Sequence, residues 1–256
     1  MTKDKARSKP PTALLDEEVR LNRYIARAGV CSRREADELI AGGAVSVDGR
    51  VISELGTKVG PGVEVLVNGR RISPARFEYI LLNKPNDTIT TVSDERGRRT
   101  VMDLVADARL ANAGIFPVGR LDRETTGVLI ITNDGALAHR LTHPSYEIEK
   151  LYRVRLKKPI TAEALRALRV GVKLEDGIAA ADRIEFMEGS GGMEVGISIH
   201  EGRNRQIRRM FDSLGHDIDQ LERVRYAGLT TSGVRIGKWR RLTPREISQL
   251  YRRVNL

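Results

Sequence analysis

The segment FPVGRLDRETTGVLIITNDG, residues 116–135, decides how the rest of the chain is interpreted. Its second half contains the apolar run VLIIT, which is long enough for a buried β-strand and is followed by the turn-forming sequence NDG. Its first half places one carboxylate, Asp122, between Arg120 and Arg123 shortly before that strand. On the local sequence alone, Asp122 is either a turn residue that caps backbone amides or a functional acid.

The region around this segment predicts interleaved strands and helices. YILLNKP and LYRVRL predict strands, the second with Tyr152, Val154 and Leu156 on one face. FMEGSGGMEVGISIH predicts a hairpin with a glycine-rich turn, whereas NRQIRRMFDSLG and TPREISQLY carry the spacing and capping residues of helices. We therefore expect the fold class α+β for a domain that covers residues 76–253.

The chain before this domain divides into a tail and a smaller domain. Residues 1–18 mix Lys, Arg, Pro and acids without periodicity, which indicates a flexible basic tail. From residue 19 the pattern predicts two short helices, the second of which begins with a capping box formed by Ser32 and Glu35. Two alternating segments with Asp-Gly and Asn-Gly turns then predict hairpins, so we expect this domain to cover residues 19–72.

Composition narrows the classes of function. The 256 residues carry a formal net charge of +10, which favours a polyanionic partner such as nucleic acid, although a protein that is merely basic would show the same charge. No apolar run approaches the ~18 residues that cross a bilayer, and the N-terminus lacks the apolar core of a secretory signal. Since the single Cys31 cannot form an internal disulfide, we expect a cytoplasmic protein without a membrane partner.

The segment RLNRYIARAGVCSRREADELIAGGAVSVDGRVI, residues 20–52, resembles the S4-type RNA-binding domain. The resemblance rests on a basic first helix, an Arg-Arg pair at the start of the second, and the VxVDGxxI hairpin. It implies that RNA phosphates are gripped by the guanidinium groups of Arg20, Arg23, Arg33 and Arg34. Such contacts position RNA rather than specify a base sequence. The alternative is that these are ordinary solvated arginines.

Three ordered motifs, GRLDRETTG, EKLYRVRL and EGRNRQIRRMF, resemble the RsuA/RluB-type branch of the ribosomal RNA pseudouridine synthases. The resemblance runs from about residue 79 to the C-terminus. It implies a mixed, mainly antiparallel catalytic sheet flanked by helices, and an enzyme that isomerises specific uridines. The variant HPSYEIEKLYRV is similar to members that act on large-subunit ribosomal RNA.

The resemblance also implies roles for individual residues. Asp122 would be the nucleophile, attacking either the uracil ring or the ribose anomeric carbon, and Arg208 would keep its carboxylate charged. At about 100° per residue, Arg208 lies at the border of the apolar stripe of its helix, whereas Arg205 and Arg209 are expected to face away. Tyr152 is either a core tyrosine or the ring that stacks on the flipped uracil.

Further polar residues of these motifs are candidates for holding the neighbouring phosphates, or they are only surface charge. They are Arg120, Arg123, Arg203, Asn204 and Arg205.

The sequence predicts neither a metal nor a cofactor. The four histidines and the lone Cys31 lack the spacing of a zinc site, and no phosphate-binding loop or dinucleotide fingerprint occurs. We expect a monomer whose partner is ribosomal RNA or a ribosomal assembly intermediate. The alternatives are a non-enzymatic RNA-binding or ribosome-assembly factor and a pseudouridine synthase that acts on another RNA, such as transfer RNA. The modified uridine and the relative orientation of the two domains stay open.

Overall fold

The computed structural model describes residues 18–107, 110 and 113–256, so the predicted basic tail lies outside the described residues except for Glu18. The chain divides into two compact units. The first comprises the residues up to Tyr79 together with 106–116 and 132–134, and the second comprises Ile80–Val105, Pro117–Ile131 and Gly135–Leu256. The predicted domain limits, 19–72 and 76–253, stay predictions.

The first unit contains a helix pair and short antiparallel strands. Strands β3, β2, β5 and β6 form one sheet in that order, and β1 pairs with β4. The elements are β1 (Val19–Arg20), α1 (Leu21–Arg27), α2 (Arg33–Ala41), β2 (Val45–Val47), β3 (Arg50–Val51), β4 (Lys58–Val59), β5 (Val65–Val67) and β6 (Arg70–Ile72).

Local sequence explains these elements. The predicted capping box of α2 is present, because the Ser32 hydroxyl accepts from Glu35 N–H and the Glu35 carboxylate accepts from Ser32 N–H. The β2–β3 turn has positive φ at both Asp48 and Gly49, as a tight hairpin turn requires. The helices pack on the strands through a buried apolar cluster: Leu21, Tyr24, Ile25, Ala36, Ile40, Val45, Val59, Val65 and Val67.

The rest of the chain alternates strands and helices as predicted. Its elements are β7 (Tyr79–Lys84), α3 (Val101–Leu104), β8 (Phe116–Pro117), β9 (Thr125–Thr132), α4 (Gly135–Thr142), a 3-10 helix (Pro144–Tyr146), β10 (Lys150–Leu156), α5 (Ala162–Val170), β11 (Val172–Leu174), β12 (Gly177–Ala179), β13 (Arg183–Phe186), β14 (Glu194–Ile199), α6 (Gln206–Asp212), β15 (Ile218–Tyr226), β16 (Leu229–Thr230), β17 (Trp239–Arg241) and α7 (Pro244–Arg253).

One large mixed sheet organises these elements. Its order is β13-β14-β10-β15-β9-β7-β17, with β16 beside β15 and β8 beside β9, while β11 and β12 form a separate hairpin. Strands β9 and β15 run parallel, whereas β10 is antiparallel to both β14 and β15. The predicted α+β class, with a helix pair and short strands followed by a mainly antiparallel sheet, is confirmed. Among the described residues, none of the helices has the length and apolar character needed to span a membrane.

The glycine of the TTG motif is required by the parallel pairing. Gly127 pairs with Arg223 and has a φ of 103°. A Cβ at this position would lie 2.3 Å from the Arg223 carbonyl oxygen, which no side chain tolerates. Gly127 therefore lets β15 approach β9 closely near the start of β9, just after the loop that carries Asp122.

Candidate active site

An open cleft of about 460 Å³ lies in the second unit, where the loop before β9, strand β10 and the start of α6 meet. Its lining combines one carboxylate, one tyrosine and several arginines on an apolar floor. The lining residues are Arg120, Leu121, Asp122, Thr125, Tyr152, Ile199, Gly202, Arg203, Arg205, Gln206, Ile207, Arg208 and Leu221. The three catalytic candidates, Asp122, Tyr152 and Arg208, therefore share one cleft.

Asp122 lies between two guanidinium groups without a direct hydrogen bond to either. Its Oδ2 is 3.9 Å from Arg208 Nε and 4.0 Å from Arg205 Nη1. These distances exceed those of hydrogen bonds, so the two cations lie beside the carboxylate without occupying its oxygens. The side chain is 30% exposed, so its oxygens face the open cleft as a charged group that a substrate can reach.

The backbone of the Asp122 loop is held by a buried lysine. Lys84, the last residue of β7, is fully buried, and its ammonium donates to the carbonyl oxygens of Pro85, Asp122, Arg123 and Thr125 at 2.8–3.1 Å. Burial lowers the pKa of Lys84 to about 8, an effect that the charge of Asp122 opposes. Lys84 thus fixes the loop while leaving the Asp122 carboxylate unengaged.

Arg208 reaches the cleft because helix α6 buries its neighbours. Ile207, Met210 and Phe211 are in the core, and Arg208, at the border of that stripe, is 14% exposed. Its Nη2 lies 3.8 Å from Glu124. Among the described residues, its buried Nε has no hydrogen-bond partner. Arg208 therefore presents an unused donor beside the Asp122 carboxylate.

The expectation that Arg205 faces away from the site is wrong. Arg205 is the residue before α6 and adopts a left-handed conformation, with φ 47° and ψ 31°. The 100° rotation per residue applies only inside a helix, so it does not describe the direction of this side chain. Arg209, which does lie inside α6, is not part of the cleft lining.

A cluster of ion pairs fixes the start of α6. Asp176, in the turn between β11 and β12, accepts from both Arg209 Nη1 and Nη2, at 2.9 and 2.8 Å. The Arg209 guanidinium holds the pKa of Asp176 below its usual value. Arg203 donates to Glu201 at 3.0 Å and to the Ile178 carbonyl at 2.9 Å. Although Arg203 was predicted as a phosphate ligand, its guanidinium already has protein partners.

Tyr152 occupies the buried face of β10, as its strand pattern predicted, and is 8% exposed. It pairs with Ile197 of β14 and with Arg223 of β15, and it lines the cleft. At the start of the same strand, Lys150 donates to the carbonyl oxygen of His200, which lies between β14 and α6. Burial lowers the pKa of Lys150 to about 8, and the charge of Arg223 adds to the effect.

The remaining predicted residues lie at different places. Arg120 lines the cleft, whereas Arg123 is half-exposed and paired with Asp87. Asn204 is exposed, and its carbonyl oxygen accepts from Arg209 Nε at 2.9 Å.

The S4-type arginines occupy the starts of the two helices, as predicted. Arg20 precedes α1 and Arg23 lies in its first turn, while Arg33 and Arg34 open α2. Arg20, Arg33 and Arg34 are exposed and Arg23 is half-buried.

The residues that hold the Asp122 loop and helix α6 in position, Lys84 and Asp176, were not predicted from the sequence. Lys84 was interpreted only as part of the strand segment YILLNKP, and because a lysine is ordinarily exposed, the local sequence carries no signal that its ammonium is buried. Asp176 lies in an ordinary Asp-Gly turn, and its pairing with Arg209 depends on a tertiary contact.

Two family models match the chain. The RNA pseudouridylate synthase family matches residues 78–213, and the S4 domain matches residues 19–65. The chain belongs to the RNA pseudouridylate synthase family, and it is a pseudouridine synthase with an N-terminal S4 domain.

Individual relatives agree with this membership. The chain is 42% identical over 234 residues to ribosomal large subunit pseudouridine synthase B of Bacillus subtilis, which covers 90% of this chain and 95% of that protein. It is 36% identical over 242 residues to dual-specificity RNA pseudouridine synthase RluF of Escherichia coli K12, covering 93% of this chain and 80% of that protein. A crystal structure of a pseudouridylate synthase superimposes with a TM-score of 0.64 at 27% identity, covering 91% of this chain and 99% of that one.

Proposed function

We propose that this enzyme isomerises specific uridines of large-subunit ribosomal RNA, with Asp122 as the nucleophile. The observation that carries the proposal is the Asp122 carboxylate in an open cleft, 3.9 Å from the buried Arg208 Nε and accompanied by Tyr152. The similarity to the large-subunit enzyme of Bacillus subtilis and the HPSYEIEKLYRV segment support the choice of RNA.

The proposed reaction moves one bond. The bond between C1′ and N1 of uridine breaks, the bond between C1′ and C5 forms, the C5 proton leaves and N1 gains a proton. The reaction has no net oxidation or reduction and therefore needs no external electron donor. Asp122 attacks either the uracil ring or the ribose anomeric carbon, and both routes require the ionised carboxylate.

Five cleft residues have a role in this proposal. The target uridine leaves its stack, which costs a few kcal/mol, and its base stacks against the Tyr152 ring. Arg208 and Arg205 supply positive charge beside the Asp122 carboxylate, 3.9 and 4.0 Å from its Oδ2, and leave its oxygens without a hydrogen bond to either guanidinium. Arg120 and Arg205 lie where they can contact phosphates beside the target.

Mapping pseudouridines in ribosomal RNA tests the proposal. The RNA would be compared between source cells with and without the gene, and after restoring either the parent protein or its Asp122→Asn variant. We expect one or a few large-subunit pseudouridines to disappear and to return only with the parent protein. An unchanged large-subunit map, or a loss confined to transfer RNA or small-subunit RNA, would overturn the substrate assignment.

A further inference from the structure

An exposed cluster of aromatic rings lies between α4 and β10, outside the cleft lining. His139 and His143 are exposed, and their ring centroids are 5.1 Å apart with an interplanar angle of 33°. The Tyr146 ring meets His143 edge-on, with centroids 6.2 Å apart. The Arg140 guanidinium lies 5.6 Å from the Tyr146 centroid. We call these rings the His139–Tyr146 cluster.

The fold holds this cluster in place without burying it. Leu137 and Leu141 anchor α4 in the core, and the Tyr226 hydroxyl donates to the Leu141 carbonyl at 2.9 Å. The His143 ring lies 2.8 Å, through Nδ1, from the Ser145 hydroxyl and caps the 3-10 helix. The backbone that carries the rings is therefore held by the core and by the His143 cap, while the imidazoles of His139 and His143 stay exposed and Tyr146 is partly exposed.

The cluster is close to the catalytic loop. Thr142, directly before His143, packs against Gly119, where an added Cβ would lie 3.3 Å from Thr142 Cγ2. Gly119 is three residues before Asp122, so its Cα is at most about 11 Å from that of Asp122. After the cluster, the chain leads directly into β10, which carries Tyr152.

Ordered, exposed aromatic rings beside arginines have the chemistry that binds an unstacked RNA base. Bases stack on histidine and tyrosine rings and on guanidinium planes. Arg140 Nη1 donates to the carbonyl oxygens of Val254 and Asn255, at 2.8 and 2.5 Å, so its guanidinium is a fixed cation whose charge favours a polyanion at this place. The two imidazole rings are tilted by 33° and Tyr146 meets His143 edge-on, so the three rings form one continuous aromatic surface beside Arg140.

We propose that the His139–Tyr146 cluster is a second RNA-binding surface, on which a nucleotide near the target uridine stacks. The inference rests on the proposed function, because it places that nucleotide in the same RNA. The surface captures an unpaired base adjoining the target and thereby selects for RNA in which that base is free to stack. It contributes to binding and not to the chemical step.

Paired variants separate the rings from the cap that His143 provides. His139→Ala/His143→Asn removes both imidazoles but keeps an acceptor that can cap the 3-10 helix. His139→Phe/His143→Phe keeps two stacking rings but loses the cap. His216→Ala, in a histidine remote in sequence from the cluster, is the control, and thermal unfolding checks that all the variants fold.

Kinetics on transcribed large-subunit ribosomal RNA give the readout, as tritium released from [5-³H]uridine. We expect the Ala/Asn variant to raise KM about fivefold or more with kcat unchanged, and the Phe/Phe variant to stay within about twofold of the parent. Unchanged KM in the Ala/Asn variant, or an equal rise in both variants, would overturn the inference. If the parent releases no tritium, the proposed function fails instead. In that case the dissociation constants of the parent and the two variants for the same transcript replace KM. A weaker affinity in the Ala/Asn variant alone supports stacking, and an unchanged affinity or an equal loss in both variants overturns it.

Discussion

Asp122 and Asp176 both face the start of helix α6, but the protein holds them in opposite ways. Asp176 accepts two direct hydrogen bonds from Arg209, at 2.9 and 2.8 Å. Asp122 has Arg208 and Arg205 at 3.9 and 4.0 Å and hydrogen-bonds to neither. The first arrangement saturates a carboxylate and fixes a helix, whereas the second supplies positive charge while leaving the oxygens free to react.

The contrast follows from neighbouring positions in one helix. Arg208 and Arg209 point about 100° apart, so Arg209 can tie α6 to the β11–β12 turn while Arg208 projects into the cleft. We therefore expect the hydrogen-bonded pair Asp176–Arg209 to fix α6 and so to position Arg208 beside Asp122. The same principle applies to the Asp122 loop, where Lys84 binds backbone carbonyls and leaves the carboxylate alone.

The largest expected effect on turnover comes from replacing the reactive carboxylate, Asp122, by an amide. Asp122→Asn keeps the shape of the side chain but removes its charge and its nucleophilic oxygen. We expect turnover to fall by roughly four orders of magnitude or more, with little change in thermal stability or RNA affinity. Tritium release, thermal unfolding and a binding titration measure the three properties. Turnover within about tenfold of the parent would contradict the assignment of Asp122.

Removing the buried cation should have the next largest effect. Arg208→Met would leave Asp122 with only the more exposed Arg205, and we expect turnover to fall about 100- to 1000-fold. Arg208→Lys should recover part of this loss, because it restores the charge but not the guanidinium geometry. Arg205→Met is the matched control and should cost less, since solvent screens its half-exposed side chain. A larger loss from Arg205→Met would reverse the two roles.

The sequence predicted the reactive part of this comparison better than the supporting part. The GRLD, LYRVRL and NRQIRR segments have local patterns, so Asp122, Tyr152 and Arg208 could be placed on a loop, a strand and a helix before the structure was known. The capping box at Ser32 and the alternation of β10 were equally local. These features depend on a few neighbouring residues.

The supporting residues could not be predicted because their partners are distant in sequence. Lys84 binds carbonyl groups about forty residues away, as the separations of 38, 39 and 41 positions show. Asp176 is 33 positions from Arg209. Arg205 was misplaced because a helical projection was applied to a residue that precedes the helix.

The pH dependence of turnover should show whether the hydrogen bonds from Lys84 to the Asp122 loop matter for activity. Its pKa of about 8 means that above this pH the neutral amine offers two N–H donors, instead of three, to four carbonyls. If turnover follows the ammonium form, it should fall about tenfold between about pH 7 and about pH 9. Rate profiles of the parent, Lys84→Met and Lys150→Met identify the group, because Lys150 has a similar pKa. If the fall in turnover at alkaline pH is lost in Lys150→Met, the titrating group is Lys150 and not Lys84.

The free energy of unfolding should change in the opposite direction and rise between about pH 8 and about pH 10.5. Unfolded Lys84 keeps its proton up to about its ordinary pKa of 10.5, whereas the folded protein releases it near pH 8. Between these values the unfolded state binds more protons, so the contribution of Lys84 to the free energy of unfolding rises with pH. Denaturant titrations of the parent and Lys150→Met, which leaves Lys84 in place, should show this rise in both proteins.

The smallest effect is expected when the structural carboxylate is changed. Asp176→Asn removes the charge that binds Arg209 bidentately, so the start of α6 should shift slightly and move Arg208 relative to Asp122. Because small displacements of catalytic groups slow reactions, we expect kcat to fall about threefold to fivefold, with a modest drop in melting temperature and no change in KM. Asp217→Asn is the control, since Asp217 is exposed and only loosely paired with Lys157 at 3.7 Å.

A double variant tests whether Asp176 acts through Arg208. The fold-loss of kcat in Asp176→Asn combined with Arg208→Met should be smaller than the product of the two separate fold-losses, because displacing Arg208 has no effect once its guanidinium has been removed. Fully multiplicative losses would show that Asp176 does not act through Arg208, and the two carboxylates would then be independent.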